Sequence, residues 1–156
     1  MNDRNEGYTM TSIEFFRKIE ESERSVSTAA MKVDVFKSMA ERITVSLEGE
    51  VVSRTRNVHA NEDAFLNLSE AKEELKAASD YYMKLVSIVT EKMSRLEDPE
   101  DEKLLTYHYL NHMPLTTAAE KMHRCRAWAF RRHSVALQNL DVLLNGINVE
   151  DLTAAS

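Results

Sequence analysis

Five cationic side chains gather near the end of an otherwise acidic chain: Lys121, Arg124, Arg126, Arg131 and Arg132. Between residues 115 and 140 only Glu120 opposes them, giving a local net charge of +4 in a chain of net −6, so the remainder carries −10. A basic island in an acidic protein is the electrostatic footprint of polyanion binding confined to one module. Placed on a helix that begins near Cys125, Ala129, Arg132, Ala136 and Leu140 turn inward. Arg126, Ala127, Phe130, Arg131 and Ser134 then turn outward. An outward arginine near a helix start suits bidentate pairing with guanine, which makes Arg126 the first candidate for a base contact. Arg131 suits a base or a phosphate, Phe130 a thymine methyl, a sugar or simple packing. Lys121 and Arg124 suit the phosphate contacts that position a module on the backbone. A solvated basic face with no ligand is the alternative.

Other chemistries have weaker footing. His108 and His112 have the four-residue spacing of paired metal ligands on a helix, but no further ligand follows at suitable spacing. They are expected to be satisfied helix histidines, with no metal and no cofactor. Cys125 is the single cysteine, so an internal disulfide is excluded. Arg124 and Arg126 beside it would favour a reactive thiol, but occupation of a small polar N-cap slot is the preferred reading of Cys125. No phosphate-cradling glycine loop, nucleophile elbow or recognisable acid/base pair of carboxylates occurs. The chain is not expected to be an enzyme.

The elements that must hold the basic island in place are helical. The stretch from Leu104 to Leu140 reads as three short helices, the second and third joined by a tight turn at residues 122–125. Ala118, Ala119, Met122, Ala129, Ala136, Leu137 and Leu140 can form the small inner core of a helix-turn-helix. Asp98 and Pro99 fit the N-cap and first position of a helix, and Met113-Pro114 is expected to open the next in the same way. Upstream, Val26, Ala29, Val33, Phe36, Ala40, Ile43 and Leu47 step by three and four, a heptad seam ending near Gly49. Ala64, Leu68, Ala71, Leu75, Ala78, Tyr82, Leu85, Val89 and Leu96 form a second. Thr11 and Glu14 have capping-box spacing, and a pause or bend is expected near residues 25–27. Residues 48–63 read as a linker, with Asn61 as N-cap of the second long helix. In that linker, residues 54–59 either carry Arg54, Arg56 and His59 toward DNA or polymerase, or only connect two helices. The long helices fold most simply as an antiparallel hairpin, though each could pair with a second subunit as a homodimer.

The expected fold is therefore all-α: a disordered lead-in at residues 1–10, a coiled-coil-like hairpin at 11–97, a helix-turn-helix at 98–144 and a flexible tail at 145–156. Three glycines and two prolines in 156 residues favour long uninterrupted helices. No apolar run is long enough to span a membrane and no signal-peptide pattern opens the chain. These features and the lone cysteine predict a soluble cytoplasmic protein with no membrane partner.

The same residues carry a resemblance. Residues 105–110, 117–125 and 129–140 resemble, in order and spacing, the fourth conserved region of bacterial sigma factors. More closely, Ala129-Phe130-Arg131-Arg132-His133 followed by Ala136-Leu137 is similar to small phage regulators of the RinA/ArpU kind, and residues 52–59 resemble a loop of that group. The chain departs from the sigma pattern at four places. His108 stands for Arg, Ala118 for a larger aliphatic, His123 for the turn glycine, and Arg132 for a core Leu or Ile whose stem is expected to cover apolar surface while its head reaches solvent or phosphate. The resemblance implies a sequence-specific regulator that activates late phage genes in a bacterial host, with double-stranded DNA and RNA polymerase as partners. Residues 121, 124, 126, 127, 130, 131, 132 and 134 would form its DNA surface, and Cys125 would take the N-cap slot usually held by Ser. A phage terminase small subunit and a structural coiled-coil interaction protein are the alternatives.

Overall fold

The computed structural model describes residues 10–49 and 54–147, with side chains at 10–45 and 59–147. The described residues are all-helical, without strands, as expected. Helix α1 spans Ser12–Gly49 (38 residues) and α2 spans Arg54–Met93 (40 residues). Helix α3 (Pro99–Leu105) runs on into a π-helical turn, Thr106–Leu110. Helices α4 (Leu115–Lys121) and α5 (Arg126–Leu144) follow. The lead-in at 1–9, the connection at 50–53 and the tail from 148 lie outside the described residues.

The chain divides into two compact units whose limits fall within α1 and α2. One unit is Glu20–Lys84. There the long helices pair along the two expected seams. Ala29, Ala40, Ala64 and Ala71 are buried, while Val26, Val33, Phe36, Ile43, Leu68 and Leu75 are half-buried. Small side chains at the buried positions let the backbones approach, and the larger ones flank the contact. Lys32 pairs with Glu74 at 2.9 Å across an exposed edge, an interaction worth about 0–1 kcal/mol. Apolar burial along the seams therefore carries the pairing.

Three expectations change here. The bend at residues 25–27 is absent: α1 runs unbroken through them, the Ser25 hydroxyl satisfied within the helix by the Glu21 carbonyl at 3.2 Å. The long linker is mostly helix, since α2 starts at Arg54 and no Gly or Pro occurs between residues 50 and 98 to stop it. Asn61 consequently lies inside α2 and does not cap it. The 54–59 segment is thus helical, with the Arg54 and Arg56 side chains outside the described residues and an exposed His59 at 3.9 Å from Glu62.

The second unit joins the described residues up to Ile19 with those from Leu85 onward, so the division expected at 97/98 falls inside it. Thr11 and Glu14 form the expected capping box: the Thr11 amide donates to Glu14 Oε2 at 2.9 Å, and the Glu14 amide to Thr11 Oγ1 at 3.3 Å. Phe15, Phe16, Ile19, Leu85, Val89, Met93, Leu96, Leu137, Leu140 and Leu144 are buried. The Ser12 amide donates to Asp141 Oδ1 at 2.6 Å, and its hydroxyl to the Leu137 carbonyl at 3.1 Å, which ties the start of α1 to α5. The Phe16 ring stacks on Tyr109, centroids 4.0 Å apart and planes 4° from parallel. Replacing it leaves a void against the π-helical turn. Phe16→Ala is expected to cost about 3–5 kcal/mol, read as a lower urea midpoint for the cooperative loss of helicity.

Candidate nucleic-acid interface

The basic island is carried by a three-helix arrangement in which α3 and its π-helical turn, α4 and α5 share one core. Leu104, Ala118, Ala119 and Ala129 are buried together, with Tyr107, Leu115, Met122 and Trp128 packed around them. Helix α3 starts as expected: Asp98 accepts the Glu100 amide at 2.9 Å, and Pro99 occupies the first turn. Pro114 stands one place earlier than expected, at the N-cap of α4. Its extended ψ of 146° is the conformation from which the chain turns into the helix. The turn after α4 holds His123 at φ +56°, a left-handed conformation that glycine enters most freely and histidine can adopt. The Arg124 amide then closes the turn on the Ala119 carbonyl at 2.9 Å. Cys125 is the N-cap of α5 but makes no side-chain hydrogen bond to it, so the position matches and the capping interaction is missing. Sulfur is a weak acceptor.

Helix α5 divides its residues as its periodicity requires. Ala129, Ala136, Leu137 and Leu140 are buried, while Arg126, Ala127, Phe130, Arg131 and Ser134 are exposed. The Arg126 guanidinium lies over the Phe130 ring, 5.3 Å from its centroid. Exposed Lys121, Arg126 and Arg131 make no ion pair among the described residues.

The other two cations are differently placed. Sequence alone sends the Arg132 head to solvent or phosphate; the structure gives it to protein carboxylates. Nε donates to Asp101 Oδ1, Nη2 donates to Asp101 Oδ2 at 2.8 Å, and Nη2 lies 3.1 Å from Asp98 Oδ2. Asp101 is 1% exposed, and a buried carboxylate requires a cation. The hydrogen bond to Asp101 raises the Arg132 pKa further above its ordinary value. Arg124 is held by Glu100, whose Oε1 accepts from Nε at 3.0 Å and from Nη2 at 2.6 Å. The same guanidinium lies 5.2 Å from the centre of the Trp128 ring. Asp101, Glu100 and Trp128 escaped the sequence reading. The acids in the first turn of α3 are explained equally well by the helix dipole, and nothing local names an arginine thirty-one residues away as a partner.

A polar aromatic cluster lies between the π-helical turn and α5. His133 Nε2 and the Tyr109 hydroxyl are hydrogen-bonded at 2.8 Å, and His108 sits edge-on to His133 at 5.4 Å. Burial, with a smaller contribution from His108, lowers the His133 pKa below its ordinary value. Burial also raises that of Tyr109. His108 Nδ1 donates to the Met113 carbonyl at 2.7 Å. His112 lies beyond the π-helical turn at φ +56°, so the two histidines do not share a regular helix face. Among the described residues no group of three or more His, Cys, Asp or Glu side chains could hold a metal ion.

No described helix is long and apolar enough to cross a membrane. Comparison of the chain with protein-family models, curated proteins and solved structures finds no match.

Two outcomes follow from this geometry. Asp101→Asn removes the buried charge that Arg132 answers. It is expected to cost about 2–3 kcal/mol in unfolding free energy, somewhat below the usual loss for one partner of a buried pair because Asp98 still faces the arginine. The lowered His133 pKa means that its folded environment favours the neutral ring. The stability it contributes is full above the ordinary imidazole value of about 6.5 and is lost as pH falls through the lower folded value. Urea midpoints should decline on acidification in the parent protein and decline less in His133→Gln.

Proposed function

We propose that the protein binds double-stranded DNA through α5 as recognition helix and regulates transcription of phage genes, in the manner of the RinA/ArpU regulators that its sequence resembles. The observation that carries the reading is the outward side of α5. It presents Arg126, Ala127, Phe130, Arg131 and Ser134 on a helix packed against a small core of Leu104, Ala118, Ala119 and Ala129. A helix-turn-helix lays its second helix in the major groove with the N-terminal residues nearest the bases. Arg126 is the first residue of α5 and so takes the base-reading role. Lys121 and Arg131 take phosphate contacts. Arg132 serves the protein's own carboxylates instead, and activation of a late operon with a polymerase contact is the regulatory mode implied by the resemblance.

Mapping bound sites on the source genome tests this directly. Sites beside promoters support the regulator; a single packaging site would indicate a terminase small subunit; no binding at low salt would leave a helical interaction protein. Arg126→Ala is expected to cost about 1–3 kcal/mol on the specific site and much less on random duplex. Lys121→Ala should weaken both by a similar factor and lower the slope of log K against log salt by about one. An unchanged ratio of specific to non-specific affinity in folded Arg126→Ala would remove α5 as the reader.

A further inference from the structure

Arg124 and Arg132 both bind carboxylates, but for different reasons. Asp101 is buried and needs Arg132. Glu100 and Arg124 have side chains 36% and 46% exposed, so neither needs the other to escape an unpaired buried charge. An exposed pair of this kind adds little to folding. What it changes is the charge presented at the entrance to α5. Arg124 lies two residues before that helix begins, in the turn of the motif. Its guanidinium carbon lies over the Trp128 ring, 5.2 Å from the centroid. Its Nε and Nη2 both converge on Glu100 Oε1. This is the forked edge with which an arginine grips a phosphate oxygen, and a carboxylate already fills it.

We infer that Glu100 is an internal competitor for the DNA phosphate that Arg124 would otherwise hold. The inference rests on the DNA-binding reading above and deepens it. An arriving backbone either displaces the carboxylate from Arg124 or sits beside a like charge, and both lower affinity. The loss is the same for every base sequence, because phosphates carry no sequence information. Glu100 therefore suppresses non-specific association, and the base contacts of α5 must supply the affinity that the blocked arginine does not. Phosphate binding is consequently left to Lys121 and Arg131 until Glu100 releases Arg124.

The test uses the full chain and a mixed-sequence duplex lacking any target site, with fluorescence anisotropy over a range of salt. Glu100→Gln keeps the side chain's size and an oxygen acceptor but removes its charge. It is expected to bind this duplex about three- to tenfold more tightly at low salt, with a log–log salt slope steeper by about one. Glu100→Ala should shift affinity in the same direction. In an Arg124→Ala background the same Glu100→Gln change should give little gain, since the two residues act as one pair. Equal or weaker binding by Glu100→Gln overturns the inference, as does an undiminished gain without Arg124, which would mean that only net charge matters. If the parent binds duplex and Glu100→Gln leaves it unchanged, this inference alone falls. If neither protein nor any variant binds duplex, the DNA-binding reading falls with it.

Discussion

A carboxylate almost wholly removed from water cannot stand without a cation, and the geometry of the three-helix unit follows from that need. Asp101 enters the interior from the first turn of α3, and Arg132 answers it from the middle of α5. Two parallel hydrogen bonds fix a guanidinium in distance and in rotation, which a single point charge would not do. The surrounding core is poor in shape information. Ala118, Ala119 and Ala129 are small enough to permit close approach, yet offer few features that would reject a neighbouring register. A well-packed apolar pair at these positions would stabilise as much or more. What the ion pair adds is a pair of directed bonds between α3 and α5, made by a charged side chain on the inward side of α5.

The five cations that make the island conspicuous do three separate jobs. Arg132 closes the interior, Arg124 is latched to Glu100 beside α5, and Lys121, Arg126 and Arg131 face solvent without ion-pair partners among the described residues. Formal charge counted along the chain therefore overstates the field that an approaching polyanion meets, because two cations are answered within a few ångströms. The aromatic cluster adds a further tie: Phe16 from α1, Tyr109 from the π-helical turn and His133 from α5 meet through stacking and one hydrogen bond.

Much of this was written in local pattern. The 3.6-residue period separates Ala129, Ala136 and Leu140 from Arg126, Phe130 and Arg131, because inward and outward sides of a helix differ in polarity at fixed spacing. The capping box at Thr11, the Asp98-Pro99 start and the tight turn at residues 122–125 were legible for the same reason: each depends on residues close in sequence. What escaped depends on contacts between distant segments. Asp101 looks like one of three acids favouring a helix start, and only the fold reveals that it is the buried one. Asn61 looks like a cap because capping residues precede helices, but α2 begins seven residues earlier and overrides it. The π-helical turn has no spacing signature of its own, and it breaks the regular relation between His108 and His112.

Left-handed histidines stand at both ends of α4, His112 before it and His123 after it, each at φ +56°. Glycine would enter that conformation freely and leave it freely; a side chain with a β-carbon enters at a cost and reaches fewer alternatives on either side. The seven-residue helix is therefore mounted between two stiff joints. A soft joint would let α4 swing and would spread the angle at which α5 emerges from the turn. Stiff joints make the pair a preformed jig, whose shape is settled during folding and not by later movement of α4.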